Sequence, residues 1–105
     1  MNPDKVDRAR VNALTDLPNV GPATAKDFQR LGIQSPAQLA GADPVALFQQ
    51  LCEVTGVRHD PCTLDVFLSA VEFMNGGPAR AWWEFTAHRK RLMARSGSTP
   101  DAQWH

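Results

Sequence analysis

A chain of 105 residues can build one modest hydrophobic core and is too short for two. Apolar residues make up 43% and charged residues 21%, ordinary globular usage that excludes a disordered, charge-rich polymer. Lys plus Arg and Asp plus Glu both number 11, so no global field draws the protein onto nucleic acid or an acidic membrane, and any electrostatic attraction is local.

Helix signals then follow one another along the chain. Asp4 is placed to cap a first helix over about 5–14, with Val6, Ala9 and Ala13 on one stripe. Leu17 to Gly21 makes a tight connection, and Pro22 suits the first turn of a second helix that carries Ala25, Phe28 and Leu31 on one face until Gly32 ends it. Ser35 and Pro36 open a short third helix to about Ala40 by the same logic. Asp43 and Pro44 start a fourth that buries Leu47, Phe48, Leu51 and Cys52 and stops at Gly56. Asp60 and Pro61 start a fifth, to about Asn75, whose apolar residues cover most of its circumference. Such a helix belongs in the middle of a fold, with Val66, Phe67, Ala70 and Val71 nearly free of solvent.

After Gly76, Gly77 and Pro78, a sixth helix over about 79–94 begins with Trp82, Trp83 and Phe85 and turns basic at His88 to Arg91. Adjacent helical residues point about 100° apart, so at most one of Trp82 and Trp83 can face the core. The pair can clamp this helix onto the body with Phe85, or one indole can stack on a base or cover a partner protein. The Ser/Gly/Pro-rich opening of 96–105 reads as a disordered tail. The expectation is thus one all-α domain, 1–95, of five to six helices, followed by that tail.

No stretch approaches the length of an apolar membrane span and the start lacks a signal peptide's apolar core, which places the protein in the cytoplasm with no membrane partner. Cys52, His59 and Cys62 lie close in sequence, but zinc would need a fourth ligand such as His88. Both cysteines fall on apolar stripes, so core packing is expected, with no metal and no cofactor. A Cys/His nucleophile pair would lack an orienting group, and no enzyme is expected. Asp60 is needed as a helix cap, while Arg58 can reach a phosphate or pair with Asp60 or Asp65.

The most informative stretch is Leu17-Pro18-Asn19-Val20-Gly21-Pro22-Ala23-Thr24-Ala25. A connection this tight needs residues that tolerate positive φ, which Gly21 and Asn19 do, while Val20 between them can pin the turn to the core. The loop runs straight into a helix start, where unpaired N–H groups and the positive dipole end favour an anion such as phosphate. With Phe28, Leu31, Gly32 and Ile33 the stretch resembles the helix-hairpin-helix motif of DNA-binding and repair proteins. Leu51-Cys52, Thr55-Gly56, Arg58-His59-Asp60, Cys62, Val66-Phe67, Ala70-Val71 and Trp82-Trp83 further resemble a small bacterial family of pathogenicity-locus or mitomycin-resistance proteins, over about 14–91.

The resemblance implies a compact SAM-like helical fold containing a helix-hairpin-helix, and the anion-favouring hairpin points to weak, sequence-independent contact with a nucleic-acid backbone, DNA by preference. DNA-binding members of the wider motif usually have glycine where this chain has Asn19 and often lysine where it has Ala23, which implies low affinity. The candidate contacts are the backbone at Asn19, Val20, Gly21 and Ala23, with Thr24, Lys26, Arg30 and the run Arg89-Lys90-Arg91 assisting. Residues 80–95 carry five basic side chains against Glu84, and 34–78 carry five acids against Arg58; that asymmetry suits a basic edge, or equally a C-terminal helix docking on an acidic body. The other reading is a protein-interaction domain using apolar surface near Trp82, Trp83 and Phe85.

Overall fold

Four of the chain's prolines open helical segments, and each sits where a missing N–H costs nothing. The computed structural model describes residues 11–95. Its α-helices are α1 Pro22–Arg30, α2 Pro44–Thr55, α3 Pro61–Met74 and α4 Thr86–Arg95, and 3-10 turns occupy Leu14–Asp16, Pro36–Leu39 and Trp82–Phe85. Among the described residues there is no strand. No helix there is long and apolar enough to cross a membrane.

Helix starts and stops follow local chemistry. The Asp43 carboxylate accepts the N–H groups of Val45 at 3.0 Å and Ala46 at 3.3 Å, and that of Asp60 accepts the Cys62 N–H at 2.9 Å. At the 36–39 turn the Gln38 side-chain oxygen turns back to accept from Ser35 N at 3.0 Å. Gly56 ends α2 in the left-handed region at φ 68°, which favours glycine.

α3 is the hub. It packs against α2, α4 and the turns at 36–39 and 82–85, and Phe67 stacks on Phe28 of α1 with ring centroids 4.6 Å apart. Leu17, Val20, Phe28, Leu39, Phe48, Leu51, Leu64, Phe67 and Ala70 are fully buried around it. Val66 departs from the expected pattern: it is only half-buried, because the apolar circumference of α3 exceeds the surface that its neighbours cover.

α3 also buries one acid completely. Asp65 accepts from Thr86 Oγ1 at 2.8 Å and from Arg89 Nε at 3.0 Å, which ties α4 to the hub by a charge-assisted pair rather than by apolar contact alone.

Three expected helices are corrected, so that four α-helices and three 3-10 turns stand among the described residues where five to six helices were expected; the short one from Ser35 is the 3-10 turn Pro36–Leu39. Of the first, 5–10 lies outside the described residues, and 11–13 are not helical. The Asp16 carboxylate gathers the N–H groups of Asn12 at 3.0 Å and Ala13 at 2.8 Å, which holds its own pKa below the usual carboxylate range, chiefly through Ala13. Leu17, before Pro18, is extended at φ −73°, ψ 152°, as the proline ring demands. In place of a helix running from 79, a 3-10 turn over Trp82–Phe85 leads into α4 at Thr86, with Ala81 extended at φ −66°, ψ 143° and Glu84 accepting its N–H at 2.9 Å. The tail 96–105 lies outside the described residues.

Candidate functional site

The loop 17–21 is built by burial on one side and a single left-handed residue. Leu17, Pro18 and Val20 are buried, so three of the five residues fasten the loop to the core. Asn19 has φ 66°. Its side-chain amide donates to the Arg80 carbonyl at 2.6 Å and to Ser69 Oγ at 3.1 Å; the Ser69 hydroxyl itself donates to the Val66 carbonyl at 2.7 Å. An asparagine here serves two ends at once, since it tolerates the left-handed backbone and staples the loop to α3 and to the segment before Trp82.

Gly21 differs from the sequence-based expectation. It is extended at φ −95°, ψ −176° and is the N-cap of α1, with no side chain to cap it. A β carbon at Gly21 would meet nothing within 4 Å. Neither the backbone nor packing within the chain therefore requires glycine there. The Val20 N–H bonds to the Leu17 carbonyl at 3.3 Å and Pro22 has none, so the donors at the helix start belong to Ala23, exposed, and Thr24, half-buried.

Asn19, Val20 and Gly21 form one wall of a cleft of about 370 Å³ whose other wall is Trp82 and Trp83. The two indoles meet edge to face, 5.7 Å between centroids and 83° between planes, so they cannot both lie flat on the protein. Trp83 is 61% exposed and Trp82 is half-buried. Phe85 is buried and so leaves the apolar surface set; it anchors the turn, with the Arg80 guanidinium 5.7 Å above its ring.

The remaining candidates are dispersed. Lys26 is exposed one turn into α1. Arg30, at the far end of α1 and about 12 Å along the axis from Pro22, pairs with Asp27 at 3.2 Å and lines a separate cleft with Val54, Thr55, Val57 and His59. Arg89 is consumed by the buried pair with Asp65, so only Lys90 and Arg91 of the basic run remain exposed. Sequence reasoning missed that pairing although it carried a signal: an acid flanked by Leu64 and Val66 on an otherwise apolar helix needs an internal cation.

Cys52 packs in the core. Cys62 is half-buried at the start of α3, where burial and then the Asp60 carboxylate push its thiol pKa up. The Cys62 N–H in turn holds the Asp60 carboxyl below the usual range. Among the described residues no three of His, Cys, Asp and Glu are grouped so as to hold a metal.

Comparison with known proteins follows the same region. Residues 7–91 match the model of a protein family described as "Pathogenicity locus". A curated protein of Streptomyces lavendulae, "Mitomycin resistance protein McrB", is 49% identical over 84 residues, 80% of this chain and 80% of its own length. No solved structure matches the chain.

Proposed function

The chain belongs to the pathogenicity-locus family, and from that premise we propose that it is a small accessory module that makes weak, sequence-independent phosphate contacts with nucleic acid. The loop 17–21 and α1 act as the second arm of a helix-hairpin-helix in a SAM-like bundle, and the module works by binding rather than by catalysis. The cleft wall of Asn19, Val20, Gly21, Trp82 and Trp83 offers no acid, base or nucleophile.

One observation carries the reading. The starts of α2 and α3 are filled by the carboxylates of Asp43 and Asp60, whereas α1 starts at a glycine with no capping side chain and opens beside the cleft. Two backbone donors and the positive dipole end are left for an anion brought from outside. Lys26 adds a cation one turn away, and Lys90 and Arg91 supply diffuse attraction from α4. The relative's name attaches mitomycin resistance to that protein, and we extend the same process to this chain. The exposed Trp83 favours a second reading, docking of a protein through apolar contact.

Gly21→Asp separates the two. It gives α1 the cap that its sister helices have, so stability is unchanged or rises by a few tenths of a kcal/mol. The same carboxylate occupies the donors and repels phosphate, so binding of mixed-sequence DNA weakens. Ala23→Lys tightens binding and steepens the salt dependence by about one phosphate contact. Fluorescence anisotropy across a salt series reads both. Cells protected from mitomycin by the parent lose that protection with Gly21→Asp. A parent that shows no salt-sensitive binding sinks the phosphate reading in favour of protein docking.

A further inference from the structure

We propose that the cleft between the 17–21 loop and the Trp82–Trp83 pair receives an unstacked nucleobase, which makes a single strand, not a duplex, the preferred ligand of this site. The inference rests on the nucleic-acid reading above and adds the ligand's form.

The cleft, about 370 Å³, lies at the small end of ligand-sized pockets. It suits one flat ring system with its sugar and falls far short of a double helix. Its distinguishing wall is an indole left 61% exposed and held nearly perpendicular to its neighbour. An indole exposed to this extent beside a recess offers a π face, which any base can cover without regard to sequence. In a duplex each base face is already covered by the next base, so only unpaired nucleotides can use it.

The opposite wall fits the rest of a nucleotide. Val20 is fully buried and fixes this wall to the core behind the cleft. Gly21 projects no side chain, and even a β carbon there would have open space, so a sugar can approach the backbone closely. Gly21 both lines the cleft and begins α1. A base in the cleft therefore puts its own phosphate beside the Ala23 and Thr24 N–H groups, within the reach of one nucleotide.

The recess is also held in shape before any ligand arrives. The Asn19 amide bridges its two walls by bonding the Arg80 carbonyl, two residues before Trp82, and Phe85 roots the turn in the core. A pre-formed aromatic cleft loses little conformational freedom on binding.

The test measures affinity at low salt for three probes: a short oligothymidylate, a strand of equal length with abasic sugars, and a blunt-ended duplex. Each is offered to the parent, Trp83→Ala and Trp83→Phe, with thermal melts to confirm that these surface substitutions leave the fold intact. The parent should bind oligothymidylate at least about five-fold more tightly than the abasic strand, the lower end of what one base–aromatic stack provides. Trp83→Ala should erase that difference while leaving abasic and duplex binding as they were, and Trp83→Phe should keep most of it. Equal binding of oligothymidylate and abasic strand by the parent overturns the base-in-cleft inference and leaves the phosphate reading standing. So does an equal loss for all three probes in Trp83→Ala. If no probe binds the parent, both readings fall together.

Discussion

Asn19 is the residue whose replacement tests most of the structural reasoning at once. At φ 66° glycine is the better backbone, so if the left-handed turn were the whole story, Asn19→Gly would be neutral or stabilising. The side chain, however, donates to the Arg80 carbonyl and to Ser69. Each such bond contributes about 0.5–1.5 kcal/mol net, so removing both costs about 1–3 kcal/mol. Relief of the left-handed strain offsets part of this, and the extra freedom that glycine brings to the unfolded chain, about 0.5–1 kcal/mol, cancels most of the relief. The net expectation for Asn19→Gly is a loss of about 1–3 kcal/mol. Asn19→Ala loses the same bonds and keeps a β carbon in the left-handed region, so it should fall about 1 kcal/mol further. Urea unfolding, with an unchanged m-value to certify the comparison, reads both numbers. A glycine variant as stable as the parent would refute the staple, and equal losses for glycine and alanine would refute the backbone half of the argument.

Two further expectations concern charge. Asp65→Ala strands the buried Arg89 guanidinium and should cost about 3–5 kcal/mol, whereas the double change Asp65→Leu with Arg89→Met should cost far less, because an apolar pair of similar volume replaces both desolvated ions; a double-mutant cycle in urea distinguishes this from simple loss of packing. Asp60 supplies a pH dependence whose sign is fixed: its carboxyl is held below the usual range by the Cys62 N–H, so its contribution is present above the unfolded-state pKa and is lost as pH falls through the lower folded-state value. Asp60→Asn keeps a capping oxygen but should flatten that acid limb in melts at falling pH, and an unaltered limb would assign it to other carboxylates.

Much of the fold is written in short-range chemistry. Asp43-Pro44, Asp60-Pro61 and Gly56 mark helix ends by the geometry of cap, ring and left-handed turn, and α2 and α3 begin and end at or within a residue of where these signals put them. The family resemblance is equally local, since it rests on runs such as Arg58-His59-Asp60 and Trp82-Trp83. What the sequence hides is set by contacts between distant residues. Positive φ could be assigned to Asn19 and Gly21 alike from their chemistry, but only the docking of Val20 and the bond to Arg80 decide that Asn19 alone takes it. Arg89 looks like one third of a basic run and becomes internal because Asp65 needs it. The segment expected as a helix from 79 opens instead as a 3-10 turn at Trp82, where Glu84 returns to the Ala81 N–H, a choice that helical periodicity does not record. For the same reason the cleft is invisible in sequence: its two walls are each legible, their apposition is not.

The bond from Asn19 to Ser69 spans 50 residues of chain and that to Arg80 spans 61. A segment fastened so far downstream is not portable. Grafted into another scaffold, or expressed as a fragment ending before α3, the stretch from Leu17 to Ala25 would keep its wording and lose its conformation, because the partner atoms that hold Asn19 would be absent.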